Sequence, residues 1–344
     1  MVSYFHKTPW DTEFYNRFLR DRLPQKLFDM HLHISDPALV GERIETDDWA
    51  AQCCNSMPIE DYLEYAKSFY PDQTMELNAL PPVSSYLDHG ACNDYLARLL
   101  KEKKISHALM VVRPDWSAEY VDQQLEKNGF AGFKPYPDLV SGKKGSDIGL
   151  FEFMPHHQLE ILNRRKLMMT LHLPRAGRLP DPQNIRELLE LRERYPDIKI
   201  VIAHFGRSYA IDTIDRGIAA LGDRLNDYHW DMAAVLNPAV LDRMFAKVNL
   251  DHVYYGTDLP VFLWHGRRRW DVDNYHNLSR EDFPWNTHEE SAEKESQYTY
   301  FLYEQMKNIL DVLDALGAGK PLAEKLFYKN AEALMTELKK EGAK

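Results

Sequence analysis

Leu27-Phe28-Asp29-Met30-His31-Leu32-His33 is the stretch that decides the fold. It is apolar enough to be a strand buried on both faces, as parallel sheets require. It nevertheless ends in two histidines two residues apart, a spacing that sends both imidazoles to one face of a strand. Five other apolar runs close on a polar residue in the same way: Arg113 in VVRP, Lys134 in GFKPYP, His172 in LMMTLHLP, His204 in IVIAHFG and Asp258 in YYGTDLP.

Between these runs the sequence turns amphipathic. The reading along the chain is a helix at 11–20, a first strand at 27–33, and an insertion at 34–73 that holds a helix at 59–69. Strands follow at 74–80, 105–114, 129–137, 166–174, 197–206, 226–233 and 251–260. Helices are expected between them at 91–103, 117–127, 155–165, 182–195, 208–221 and 238–246. A Trp- and Arg-rich loop at 261–295 leads to C-terminal helices near 296–316 and 321–340. Eight strands alternating with helices give a (β/α)8 TIM barrel with a lid-like insertion after strand 1 and extra terminal helices. The rival, a doubly wound open sheet, lacks any GxGxxG or GxxxxGK[ST] signature after a strand. On this reading all 344 residues form one barrel domain, since His33 and Asp258 meet at one rim.

Composition sets outer limits. With 42 Lys+Arg against 53 Asp+Glu the net charge is −11, which argues against a nucleic-acid binder. No stretch reaches the ~18 to 20 apolar residues of a membrane span, and the polar first twenty residues do not read as a secretory leader. Three cysteines, Cys53, Cys54 and Cys92, are too few and wrongly spaced for a disulfide framework or a zinc finger. They read as free thiols in a reducing, cytoplasmic setting.

A lone histidine at a strand end is usually an ordinary polar residue. The joint pattern is different, because a barrel gathers every strand end on one rim. Three neutral imidazoles and a carboxylate suit a divalent ion such as Zn²⁺, with Mn²⁺ as the alternative. Such an ion lowers the pKa of a bound water or polarises a substrate oxygen.

The stretches DMHLHISDP, GFKPYP, TLHLP, IVIAHFG, YYGTDLP and the late LFYKNAEALM resemble the amidohydrolase superfamily. The likeness is to its amidohydrolase-2 branch, of the aminocarboxymuconate-semialdehyde decarboxylase type, and runs from about 27 to 335. It implies that His31, His33, His172 and Asp258 hold one metal ion. It also implies that His204 polarises the substrate or orients water, and that Asp258 doubles as general base. In two-metal relatives a carboxylated Lys bridges the ions, which makes Lys134 the candidate for a second site. The insertion 34–73 and the loop 261–295 align with nothing in that pattern.

Arginines crowd the expected rim: Arg113, Arg175, Arg207 and the run Arg267–Arg269. Guanidinium forks suit carboxylates, and Arg113 and Arg175 stand on strand-end loops. Tyr136, Trp116, Trp264 and Trp270 could wall an aromatic substrate. Asp231 could orient a neighbour by hydrogen bonding. The expected function is hydrolysis of an ester, lactone or amide in a small, anionic or aromatic substrate by metal-activated water. Non-oxidative decarboxylation of a small carboxylic acid on the same ligands is the alternative, and a catalytically silent binding protein the third reading. The resemblance further implies a homodimer; no nucleic acid or membrane partner is expected.

Overall fold

A computed structural model describes residues 6–40, 56–82, 84–143, 147–283, 285–286 and 288–342. Cys53, Cys54 and much of the expected lid lie outside these residues; Cys92 is buried and free.

The barrel strands are β1 (Lys26–His33), β2 (Thr74–Leu80), β3 (His107–Ala108), β4 (Met110–Val112), β5 (Gly132–Pro135), β6 (Met168–Leu171), β7 (Lys199–Ile202), β8 (His229–Asp231) and β9 (Val253–Tyr254). All pair in parallel, in the order β1-β2-β3 and then β4 through β9. β3 and β4 are two halves of one strand. Between them Leu109 donates its N–H to Ala79 O, and Ala131 donates to Ala108 O. The chain beyond β9 runs back along β1. Met30 N–H donates to Tyr255 O, Asp258 N–H to His31 O and His33 N–H to Leu259 O, at 3.0, 2.8 and 2.8 Å. These bonds close the ring, so the strands form the expected eight positions of a barrel.

The helices fall where the periodicity places them. Ile59–Phe69 buries Ile59, Tyr62, Tyr65, Ala66 and Phe69, one stripe of an amphipathic helix. Pro182–Arg194 starts on Asp181, whose carboxylate accepts from the N–H groups of Gln183 and Asn184. Among the described residues no helix is long and apolar enough to cross a membrane.

The C-terminal helix Asn330–Gly342 has a specific place. Its Ala331, Leu334, Met335 and Leu338 pack with Phe28, Met30, Met168, Val201 and Tyr254 of the barrel interior. It thus stops the N-terminal mouth of the barrel, opposite the rim that carries the polar residues.

β1 departs from a regular strand. Phe28 and Met30 join that interior cluster, yet His31 and His33, of opposite parity, also face inward. The register against β2 shifts between Asp29 and Leu32. A bulge of this kind re-aims the side chains that follow it. Asp29, the residue before the shift, is buried outside the barrel. Its carboxylate accepts from Thr257 Oγ1 at 2.6 Å and from the N–H groups of Thr257 and His31. Burial pushes its carboxyl up to about 7.

The stretch 261–295 is not the irregular loop the sequence suggests. It contains an antiparallel hairpin, β10 (Gly266–Trp270) and β11 (Tyr275–Ser279), with Arg268 opposite Asn277. Its alternation was hidden in a run of three arginines. Arg267 and Arg269 turn outward to Glu290 and Glu289, while Arg268 turns inward.

Beneath the hairpin, His265 is fully buried between two carboxylates. Its Nε2 lies 3.0 Å from Asp11 Oδ2 and its Nδ1 2.6 Å from Glu281 Oε1; Arg280 shares Glu281 at 3.1 Å. Burial pulls the imidazole's pKa down, but the bonds to Asp11 and Glu281 outweigh it and raise it above the ordinary value. A raised folded-state pKa contributes stability that is full below the unfolded pKa of about 6.5 and is lost as pH rises through the folded value. The urea midpoint of the wild type should therefore fall relative to that of His265→Gln as pH climbs from about 6.5. Parallel midpoints across that range would remove His265 as the cause.

Gly132 is sterically fixed. A Cβ on Gly132 would sit 1.8 Å from Met168 O, at a φ of +150°. Gly132→Ala forces β5 and β6 apart and should cost more than ~3 kcal/mol, read as a lowered denaturant midpoint.

Candidate metal centre

The polar residues of the rim meet, although three of them sit just past the strands rather than within them. His172 follows β6 by one residue, His204 follows β7 by two, and Asp258 lies on the extended return after β9. His204 opens a left-handed turn. His204, Phe205, Gly206 and Arg207 all have positive φ, at 55°, 48°, 68° and 63°. Asp258 is left-handed too, at 59°. Such backbone costs on the order of 1–3 kcal/mol per non-glycine residue and gathers where side-chain placement matters.

The hydrogen bonds fix the imidazoles. His33 Nδ1 lies 2.8 Å from Pro81 O, and His204 Nδ1 2.8 Å from Ala233 O. A carbonyl only accepts, so both Nδ1 atoms carry the proton. His31 Nδ1 lies 3.0 Å from Asp231 Oδ2, which fixes the same tautomer. Asp231 is a saturated hub: its Oδ1 accepts from the N–H of His204 at 2.8 Å and of Ala233 at 3.1 Å. Three Nε2 lone pairs are thereby left facing one carboxylate. His31 Nε2 and His33 Nε2 stand 3.4 and 3.6 Å from Asp258 Oδ1, and His204 Nε2 stands 3.8 Å from Asp258 Oδ2.

Lone pairs converging on an anion repel unless a cation or protons lie between them. Burial pulls His31 below the ordinary imidazole range and His204 down to about 4, so both rings are neutral at pH 7. Burial pushes the Asp258 carboxyl up, but imidazolium charge at His204 and His31 outweighs it, so a proton entering the cluster goes to a ring first and Asp258 stays ionised. A metal fits here. Ligand atoms bound at about 2.0–2.1 Å stand roughly 3 to 3.5 Å apart, which matches the His31, His33 and Asp258 spacings. These three, and separately His31, His204 and Asp231, are the described groups with donor atoms close enough for one ion. In the second group Asp231 is already spent on hydrogen bonds, which favours the first.

Lys134 is buried and its Nζ lies 3.3 Å from His31 Nε2. Burial pushes it down to about 8, against the pull of Asp231 and Asp258. His172 stands outside both donor groups. Its ring is 5.6 Å from that of His204 and stacked on Tyr136 at 5.9 Å, and its buried Nδ1 has no hydrogen-bond partner among the described residues. Tyr136 also lies under the Lys134 ammonium, 5.2 Å from it.

A family model, Amidohydro_2, described as Amidohydrolase, matches residues 28–335. The chain belongs to the amidohydrolase family. No curated protein matches this amidohydrolase in sequence. Among solved structures it is similar to a probable 2-pyrone-4,6-dicarboxylic acid hydrolase from Acinetobacter baumannii with citric acid bound. That match has a TM-score of 0.56 at 14% identity and covers 90% of this chain and 99% of that one. It is also similar to a dihydroxybenzoic acid decarboxylase from Polaromonas with bound manganese, with a TM-score of 0.55 at 14% identity over 91% and 97%. A third is a 5-carboxyvanillate decarboxylase from Novosphingobium aromaticivorans complexed with manganese, with a TM-score of 0.54 at 13% identity over 91% and 96%. At these identities the likeness establishes the shared fold.

Several residues expected at the substrate have partners within the protein. Arg113 pairs with Asp115 at 3.1 Å and Arg175 with Asp181 at 3.3 Å. Arg207 Nη1 donates to the carbonyls of Leu173, Pro174 and Arg175, bracing the loop after β6. Trp264 is fully buried against Phe262, Trp285 and Phe301, with its Nε1–H given to Val261 O. It is core, with no surface to offer a ligand, because its chain lies beneath the hairpin. Trp116 packs edge-on against Tyr120. The arginine that does face the site is Arg268. Its Nη1 donates to Ala234 O, one residue from the carbonyl that holds His204.

Proposed function

We propose that this amidohydrolase is a metal-dependent hydrolase of a small carboxylated ester, lactone or amide. The observation that carries the reading is the convergence of three Nε2 lone pairs on the ionised Asp258 carboxylate. His31, His33 and Asp258 would hold one divalent ion, with His172 as the further ligand the resemblance implies. A divalent ion held there supplies Lewis acidity and lowers the pKa of a water toward ~7. Asp258 Oδ2, the oxygen turned away from His31 and His33, takes the proton of the attacking water. His204 Nε2, fixed as an acceptor by its Nδ1–H bond to Ala233 O, orients that water and can receive the proton from Asp258. Protonated, it faces the carbonyl oxygen as a donor where charge develops. Lys134, beside His31, adds positive charge or, if carboxylated, would bridge a second ion. We favour one ion, Zn²⁺, with Mn²⁺ as the alternative suggested by the manganese in two similar structures.

Decarboxylation is the second reading, favoured by the names of those two similar proteins. It requires an acid that delivers a proton to carbon. The neutral imidazoles and the ionised Asp258 carboxylate are proton acceptors, which supports hydrolysis, while the buried Lys134 ammonium, held near 8, is the acid a decarboxylase would use. The metal-loaded enzyme, assayed against carboxylated lactones and hydroxybenzoates, distinguishes the two: ring opening seen by NMR supports hydrolysis, CO₂ release supports the lyase. The homodimer implied by the resemblance is part of the same proposal, and light scattering tests it.

A further inference from the structure

Asp258 is the carboxylate on which the imidazoles converge, and its place is set from outside its own side chain. Its backbone is left-handed, at a φ of 59°. Its carboxylate faces Nε2 atoms that have no proton to give it. The chain on either side is what holds it. Thr257 is buried and donates its hydroxyl proton to Asp29 Oδ2 at 2.6 Å. The same hydroxyl oxygen accepts the N–H of Leu259 at 3.1 Å. One hydroxyl thus joins the residues before and after Asp258 and tethers both to β1. Asp29 Oδ1 completes the tether by accepting the N–H groups of Thr257 at 3.0 Å and of His31 at 3.1 Å. Between these bonds Asp258 gives its own N–H to His31 O at 2.8 Å. An O–H···O⁻ bond as short as the Thr257–Asp29 one is among the stronger hydrogen bonds. A buried hydroxyl that donates and accepts at once passes the position of one partner to the other.

The tether works against a hard stop. A Cβ on Gly256 would lie 2.8 Å from His31 Cβ, so the chain after β9 already runs as close to β1 as its atoms allow. Gln305, buried on the helix Phe301–Ala315, donates through Nε2 to Gly256 O at 2.9 Å and to Met232 O at 3.0 Å, which holds residue 256 to the end of β8. We infer that Asp29 and Thr257 form a positioning latch, which sets the distance from Asp258 to the imidazoles of His31 and His33 and thereby the affinity of the site for its ion. The latch lies at the seam where the barrel closes. His31 stands on one side of that seam and Asp258 on the other, so a slip there becomes a displacement between two donors. The inference rests on the metal-dependent reading for the ion, whereas the geometry it asserts needs none.

The test compares Thr257→Val, which keeps the shape and loses the hydroxyl, with Thr257→Ser, which keeps the hydroxyl. Zinc affinity is measured by competition with a chromogenic chelator, in a buffer above the value of about 7 to which burial pushes Asp29. Crystal structures of the metal-free variants give the second readout. Thr257→Val should bind zinc about 10–100-fold more weakly than the wild type, and Thr257→Ser should recover the wild-type affinity to within about threefold. In metal-free Thr257→Val the Asp258 carboxylate should move by about 1 Å relative to His31 Nε2, and in Thr257→Ser it should stay. Wild-type zinc affinity in Thr257→Val, whatever its thermal midpoint, overturns the latch and leaves the hydroxyl a stabilising bond only. A carboxylate that stays in place, or a loss of affinity that serine does not restore, overturns it as well. If Thr257→Val does not fold, Asp29→Asn takes its place. Its amide oxygen keeps the bonds from the two backbone N–H groups, and its NH₂ turns toward the hydroxyl, which can no longer donate there. The same displacement and loss of affinity are expected, and wild-type values overturn the latch. A wild type that binds no zinc loses the metal-dependent function, and the displacement in the metal-free variants then decides the latch by itself.

Discussion

His33→Ala and Asp258→Asn should each lower kcat/KM by at least ~10³, about 4 kcal/mol of lost transition-state stabilisation, and release the metal on dialysis. His33 supplies one of three donor nitrogens around Asp258, and its Nδ1–H is committed to Pro81 O. Removing it leaves two close donors, too few for a closed site. Asp258→Asn is the more incisive change. Asparagine tolerates the left-handed backbone at this position, so the fold is kept. The amide is neutral, however, and its NH₂ can donate to the lone pairs that would otherwise bind the ion. Metal content by elemental analysis, kcat/KM and a thermal midpoint should be read on the same preparations. Full activity in either variant removes the metal-dependent reading.

Asp231→Asn should weaken metal affinity by about 10–100-fold while the protein stays folded. The carboxylate now accepts from two backbone N–H groups through Oδ1 and from His31 Nδ1–H through Oδ2. An asparagine oriented to keep the two backbone bonds turns its NH₂ toward His31. That forces the imidazole proton from Nδ1 to Nε2, the nitrogen that would ligate the ion. Asp231→Ala differs, since it leaves two buried N–H groups unpaired and should cost ~3 kcal/mol or more in stability. A loss of metal in the Asn variant with little loss of stability is the outcome specific to tautomer control. Equal metal affinity in wild type and Asp231→Asn would mean His31 is not a ligand through Nε2.

Much of this centre is written in the sequence, because a parallel barrel converts strand-end position into spatial proximity. His31, His33, His204 and Asp258 could be grouped from their places after apolar runs, and Asp231 could be named as a residue that orients a neighbour. Other features left no periodic trace. The bulge in β1 depends on pairing with β2, which is a property of two strands and not of either alone. The hairpin β10–β11 hides in GRRRW, where three like charges read as a solvated loop although the middle one is buried. Arg113 and Arg175 stand on strand-end loops, where substrate contacts are favoured, and the structure adds a partner for each, Asp115 two residues on and Asp181 six residues on. Trp264 follows the same logic: an aromatic side chain in a rim segment is core when a hairpin folds over it.

Arg268 comes from an element outside the barrel's strand ladder, whereas His31, His33 and His204 are held by Asp231, Pro81 and Ala233 at or just past the ends of barrel strands. Substitutions within 266–279 that keep Arg268 therefore keep its bond to Ala234 O, beside the carbonyl that holds His204.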